Sequence, residues 1–324
     1  MTAVEAARES PQVPGGASVD ASVLVVSYNT RDLTLACIRS VFEETAQITP
    51  EVIVVDNASS DGSAEAIERE FPEATVLALD ENIGFGAACN RAAQRASGRH
   101  FILLNPDARV LDGALDRVVE YADGRPDCGI VGGRTLHEDG SLNPSSCWGR
   151  PTLWSLFCQA TCLSTLFPRS ALFDPTSLGR WERDEERDVP VVSGCFLLVP
   201  REHWERLGGF DESFFMYGED VDLSLRSAAL GRSPRILPTA TVVHVGAASE
   251  PIKSDKLVRL LRAQRQLIRK HWSPLATRIG LGLLSTGVAV RAAGSRGLRA
   301  VGLGGRFGRS SAWGGAWARR EQWR

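Results

Sequence analysis

No apolar run in the 324-residue chain is long enough to cross a bilayer: the nearest, Ile279 to Val290, is 12 residues between Arg278 and Arg291, short of the roughly 20 that a spanning helix needs. The first twenty residues carry Glu, Arg and Asp without an apolar core, so no secretory signal is expected and a reduced, cytosolic setting follows. The 7 cysteines are odd in number, and Cys158 and Cys162 lack a His or further Cys at metal spacing. Buried apolar thiols are therefore expected, with neither a zinc site nor a disulfide framework. A G-x-x-x-x-G-K-[ST] phosphate loop is also missing. With 43% hydrophobic and 23% charged residues the composition is that of a globular chain, which excludes disorder and collagen. The length allows one large domain or two modest ones.

Charge is distributed unevenly. From Pro251 onward 16 Lys and Arg face 2 Asp and Glu, leaving 21 basic and 37 acidic residues for the first 250. The net −2 thus conceals a body of −16 and a tail of +14. Such a tail is suited to phosphate or an anionic membrane.

Residues 1–20, rich in Pro, Gly, Ser and Ala, read as a disordered leader. Ser22 to Ser27 is a continuous β-branched run of the kind buried on both faces of a sheet. The pattern then alternates: helix from Asp32 to Glu44, strand Val52–Asp56, helix Ser63 to Glu70, strand Thr75–Leu79, helix Gly86–Ala96, strand Phe101–Asn105. This predicts βαβ units and a parallel sheet covered by helices, in which ligands bind beyond the carboxyl ends of the strands. Those ends are polar: Ser27-Tyr28-Asn29, Asp56-Asn57-Ala-Ser-Ser-Asp61-Gly62, Asn82-Ile-Gly84-Phe-Gly86 and Asn105-Pro106-Asp107. Asp61-Gly62-Ser63 alone reads as a turn and helix cap; the four ends together predict a polar cleft. A dinucleotide site is disfavoured, because the glycine pair follows the third strand, Cys89 takes its third position and the acid Asp56 precedes it.

Val191 to Val199 reads as one further buried strand, followed by Gly208-Gly-Phe-Asp-Glu-Ser-Phe-Phe-Met-Tyr-Gly-Glu219-Asp220-Val-Asp222. The three acids would open a helix reaching about Leu230, where negative charge suits the dipole. A carboxylate in an apolar rim gains proton affinity and becomes a usable general base, the reading preferred for Asp220. For Glu219 base and cap both stand.

Val26-Ser-Tyr-Asn29, the Val55 to Ser63 run, Asn82 to Asn90, Leu104-Asn-Pro-Asp107, Ser193-Gly-Cys195, Gly218-Glu-Asp220 and Val243-His244 together resemble the ordered motif set of the inverting family 2 glycosyltransferases, especially their rhamnosyltransferase-like branch, over about Ser22 to Val245. The resemblance implies an α/β fold of the A type, a Rossmann-like mostly parallel sheet flanked by helices, here with a C-terminal helical extension. It implies a nucleotide-sugar donor held by Ser27, Tyr28, Asn29, Asp56, Asn57, Gly84, Gly86, Asn90 and Asn105, with Asp56 on the base. It implies Mg²⁺ or Mn²⁺ on Asp107 and His244, and Gly194 and Cys195 on the acceptor side. Asn105 stands where the family's metal motif has its first Asp. In the implied single displacement Asp220 deprotonates an acceptor hydroxyl, while the metal and the amides near Gly84 and Gly86 neutralise the departing diphosphate. The expectation is transfer of rhamnose from dTDP-rhamnose to a glycan or lipid-linked acceptor in cell-envelope polysaccharide synthesis. A nucleotidyltransferase and a catalytically silent nucleotide-binding protein are the alternatives; Asn105 alone favours the second.

The expected organisation is a transferase domain over 21–250 and a basic tail over 251–324, with an insert over about 135–190 that the resemblance puts on the acceptor side and that reads equally as a surface excursion with a small core of its own. Lys253 to Trp272 places Leu257, Leu260, Leu261, Leu267 and Ile268 near helical spacing among basic residues. Such a helix, with the Trp-bearing tail beyond it, suits peripheral attachment to the inner face of the cell membrane. Packing of that helix on the acidic body is the other reading. Nucleic acid is disfavoured, because no binding module accompanies the basic residues.

Overall fold

The computed structural model describes residues 19–246, 253–300 and 310–324. The expected leader lies outside them except for residues 19 and 20, and the expected 250/251 boundary lies outside them too. The chain opens with β1 (Ala21–Ser27), α1 (Arg31–Glu44), β2 (Pro50–Asp56), α2 (Ser63–Glu70), β3 (Thr75–Ala78), α3 (Phe85–Arg95) and β4 (His100–Leu104), each close to its expected bounds. Next come β5 (Ala108–Leu111), α4 (Ala114–Asp123) and β6 (Val131–Leu136). The insert holds β7 (Cys147–Trp148), α5 (Leu153–Ala160), α6 (Leu163–Leu166) and β8 (Arg187–Asp188), and β9 (Val191–Val192) follows it. The chain continues through β10 (Phe196–Pro200), α7 (Arg201–Leu207), α8 (Glu219–Ala229), β11 (Arg235–His244), α9 (Lys253–His271), α10 (Pro274–Ala300) and α11 (Ser310–Ala318).

The main sheet runs β3-β2-β1-β4-β10-β6-β11-β5, with β8 beside β11. Its first four strands are parallel, and β10 enters antiparallel between β4 and β6. Alternation along β1 divides the core as a doubly covered strand must: Val23 and Val25 join one buried cluster with α1 and α4, and Leu24 and Val26 join another with α3, Trp204 and Leu223.

Two expectations need correction. Val191–Val199 is not one strand. Val191 and Val192 pair with β7, β10 starts at Phe196, and Ser193-Gly194-Cys195 forms a break between them. The α9 helix does not present its apolar face to a membrane, because Leu261 and Ile268 are buried in a cluster with Leu156, Leu284, Val288 and Trp323. Ala263 and Leu267 pack instead on Phe214 of the catalytic body. No helix among the described residues is long and apolar enough to cross a membrane. All seven cysteines are unbridged and six are buried, as expected.

Candidate active site

Parallel pairing brings the carboxyl ends of β1, β2 and β4 to one edge, with Ser27 opposite Asp56. The loop after β1 is clasped to the loop after β2. The Ser59 hydroxyl accepts from the Asn29 amide at 2.9 Å, and Asn29 Oδ1 accepts from the Ser60 amide at 2.8 Å. Tyr28, between these fixed points, is exposed. The Ser27 hydroxyl is buried and shared with Thr34 at 3.0 Å, so it fixes the start of α1. Asp56 is buried; its Oδ2 accepts from the Ser59 amide at 3.1 Å, and its Oδ1 has no partner. A buried carboxylate oxygen left unpaired is costly, and a donor-base N–H would relieve that cost.

The sequence-selected Asn57, Asn90, Gly84 and Gly86 frame this edge. Asn57 Nδ2 donates to Asn82 Oδ1 at 3.0 Å while its Oδ1 accepts from the Ile83 amide at 2.9 Å, fixing the turn into α3. Gly84 has φ +86°, and a Cβ there would lie 2.2 Å from the Phe215 carbonyl oxygen. Its amide donates to Asn82 Oδ1 at 3.0 Å and the next amide to Phe215 O at 2.9 Å. Both amides are thus engaged within the protein. A Cβ on Gly86 would meet Phe210 at 3.1 Å. Asn90 brackets the main chain of Phe210, donating to its carbonyl and accepting from its amide at 2.9 Å each. These four residues seat the aromatic 210–217 segment on α3.

Asp107 and His244 come together because His244 stands opposite Ala108 in the β5–β11 pairing. Asp107 Oδ1 lies 3.3 Å from His244 Nε2, and Asn105 Nδ2 lies 3.3 Å from the same nitrogen. His244 Nδ1 contacts the Ser145 hydroxyl at 3.2 Å, and Asn143 Nδ2 donates to the His244 carbonyl at 2.9 Å. Sequence reasoning missed both Ser145 and Asn143, which lie within the insert. Burial opposes ionisation of Asp107, but hydrogen bonds and charge from His244, with the Gly246 amide, hold its carboxyl below the ordinary range. The donor chemistry suits a divalent ion: Ser145 engages Nδ1, and Nε2 stands 3.3 Å from a carboxylate oxygen, an imidazole and a carboxylate side by side. Among the described residues no group of three or more His, Cys, Asp or Glu converges. Phosphate oxygens would complete a shell of this kind.

The break after β9 gives Asp220 its place. The Gly194 amide donates to Asp220 Oδ2 at 3.1 Å, and the Asn105 amide donates to the Cys195 carbonyl at 3.0 Å. Residues 194–195 therefore join the carboxylate to the Asn105–Asp107 turn. Cys195 is buried between the two acids; burial pushes its thiol up to about 12, and the charges of Asp220 and Asp107 add to this. Burial also raises Asp220, while the Gly194 and Val221 amides partly hold it down. Glu219 is buried with Oε2 unpartnered, and burial followed by the Asp220 charge pushes it up to about 8. Two adjacent acids thus differ in surroundings: burial and the Asp220 charge favour the protonated form of Glu219, whereas two amides favour the carboxylate of Asp220.

Sequence reasoning also overlooked what secures α8. Asp222, fully buried, accepts from Arg226 Nε at 2.8 Å and His271 Nε2 at 2.8 Å and pairs with Lys270 Nζ at 2.7 Å. The i, i+4 spacing of Asp222 and Arg226 is legible in the chain; the link to His271 is not.

The model of glycosyl transferase family 2 matches residues 22–176. An N-acetylglucosaminyl-diphospho-decaprenol L-rhamnosyltransferase of Mycobacterium tuberculosis (strain ATCC 25618 / H37Rv) is 34% identical over 211 residues, covering 61% of this chain and 67% of that protein. An O-antigen biosynthesis protein of Myxococcus xanthus is 30% identical over 70% of this chain and 17% of its own length. Among solved structures, a mannosyltransferase from Pyrobaculum calidifontis in complex with GDP-Man and Mn²⁺ superposes with a TM-score of 0.56 at 20% identity, over 91% of this chain and 85% of that one.

Proposed function

The chain belongs to glycosyl transferase family 2, and from that membership we propose that it moves L-rhamnose from dTDP-rhamnose to N-acetylglucosaminyl-diphospho-polyprenol, with inversion at the anomeric carbon. The sugar and the lipid-linked acceptor are supported by the rhamnosyltransferase relative at 34% identity. The observation that carries the mechanism is the pairing of Asp220 with the Gly194 amide, one residue from the Cys195 carbonyl that receives the Asn105 amide. Asp56 accepts from the donor base beside the Tyr28 ring, and Asn57, Asn90, Gly84 and Gly86 keep the loops around it in place.

Asp220 takes the proton of the acceptor hydroxyl. The freed oxygen attacks the anomeric carbon as its bond to the diphosphate breaks, and the nucleoside diphosphate leaves from the opposite face. Asp107 and His244 would hold a divalent cation, Mg²⁺ or Mn²⁺, which would supply positive charge to the departing diphosphate. The reading locates the enzyme in the cytoplasm, peripheral on the inner face of the cell membrane, where such an acceptor would be met.

Donor and base are tested together. A nucleotide at a hundred times its dissociation constant adds about 2.7 kcal/mol of stability, so dTDP with Mn²⁺ should raise the melting temperature more than UDP or GDP, and EDTA should remove the shift. Asp220→Asn keeps an oxygen for the Gly194 amide but not the basicity. It should retain the dTDP shift and lose transfer by about 10²-fold or more. Transfer at the wild-type rate by this variant would overturn the base assignment; stabilisation by another nucleotide alone would overturn the donor.

A further inference from the structure

The insert packs on α10 through α5, and the two form a second surface. They pack through small residues: a Cβ on Gly287 would approach Ala160 Cα to 3.1 Å, and one on Gly280 would approach Leu156 at 3.4 Å. That packing uses one side of α5 and leaves Trp154 and Phe157 43% and 40% exposed, their rings stacked at 5.5 Å. Trp154 Nε1 donates to the Leu172 carbonyl at 2.6 Å, bringing Leu172, 59% exposed, beside the pair. Leu166 and Phe167 follow on α6 and just beyond it, also exposed, and α10 exposes Leu275 and Ile279. Exposed apolar groups gathered in this number mark a surface that meets something apolar.

Charge identifies the occupant. Between Arg150 and Phe173 there is no Asp or Glu, and α10 has none from Pro274 to Ala300, although the first 250 residues carry a net −16. Arg150, ahead of α5, and Arg278, beside Ile279, are exposed. Apolar and aromatic side chains fringed by arginine, with the neighbouring Asp174 engaged by the Arg169 amide at 3.0 Å and Glu182 paired with the Arg169 guanidinium at 3.0 Å, complement an anionic lipid surface, where chains enter the acyl boundary and guanidinium groups meet phosphate. We propose that the α5–α6 and α10 face docks on an anionic phospholipid bilayer, whereas α9, whose apolar face is buried within the protein, does not. The inference deepens the proposed function, since a polyprenyl-linked acceptor resides in such a bilayer, yet it is read without sugar transfer.

The test is co-sedimentation of the full chain with vesicles of phosphatidylglycerol mixed with phosphatidylcholine, and with vesicles of phosphatidylcholine alone. Wild type should bind the mixed vesicles at least tenfold better. Trp154→Gln with Phe157→Gln should reduce that binding at least tenfold, and so should Arg150→Glu with Arg278→Glu. Leu166→Gln, at a side chain 69% exposed, should weaken it without altering the melting temperature. Wild type remaining in the supernatant, or aromatic variants sedimenting like wild type, overturns the proposal. A dimer in sedimentation velocity that the aromatic pair of changes dissociates also overturns it, assigning the face to a second copy. Wild type should transfer to a short water-soluble acceptor without vesicles. Failure of wild type in that assay counts against the rhamnosyl-transfer reading and leaves vesicle binding standing.

Discussion

Glu219 and Asp220 are neighbours whose proton affinities burial raises together and whose hydrogen bonds then separate. Asp220 receives the Gly194 amide, whereas Glu219 Oε2 receives nothing. A carboxyl whose pKa rises on folding stays protonated in the native state while the unfolded chain ionises, so its contribution to stability falls as pH climbs between the two values. For Glu219 that window runs from the ordinary 4.5 to about 8. Glu219→Gln removes the titration and keeps the shape. Its melting temperature should exceed wild type at pH 8 by a few degrees, with the gap closing by pH 5. A gap independent of pH would mean that Glu219 is ionised in the native protein. The same substitution should broaden the alkaline limb of the transfer profile only slightly if, as proposed, Asp220 is the base.

At the scale of elements, α8 is held by its buried Asp222. Burial opposes that charge, but Lys270, Arg226 and His271 outweigh it and lower its pKa. The sign is opposite to that of Glu219: the stabilisation is present above the unfolded carboxyl value and is lost as pH falls through the folded one. Asp222→Ala leaves three basic side chains facing a vacant buried position and should cost about 3–5 kcal/mol, measured by denaturant unfolding at pH 7. A loss under about 1 kcal/mol would show that the groups re-pair with solvent. This clamp was only half legible in the chain, because Lys270 and His271 lie 48 and 49 residues after Asp222 and only tertiary packing brings them near. The first seven elements were legible because hydrophobic periodicity dictates them. The break at Ser193-Gly194-Cys195 was not, since an apolar run looks the same whether or not a glycine amide inside it turns toward Asp220. The burial of α9 was likewise hidden: amphipathicity fixes which face is apolar, not whether lipid or protein covers it.

For the whole molecule, an acidic body and a basic extension meet at one seam. Lys270 Nζ reaches Asp211 at 2.6 Å as well as Asp222, and Gln266 donates to the Ser213 hydroxyl at 2.5 Å. Ala263 and Leu267 pack on Phe214, and the Lys256 and Arg259 side chains lie over the Tyr217 and Phe215 rings at 5.6 and 5.9 Å. The α9 helix therefore backs the aromatic segment that leads into Asp220, whose other side meets Gly84 and Gly86. Lys270→Met keeps most of the stem and removes the charge shared by Asp211 and Asp222, unfastening the seam at its polar end while the apolar contacts remain. Hydrogen exchange of amides over 210–218 should accelerate about tenfold or more, with that of β1 and β4 unchanged, because local opening follows the stability of the local unit. The transfer rate should fall more than dTDP binding, since the seam bears directly on the segment leading into Asp220 and reaches the loops of Asp56 and Tyr28 through Gly84 and Gly86. Equal exchange in both proteins would mean that packing of Phe214 alone keeps the segment closed.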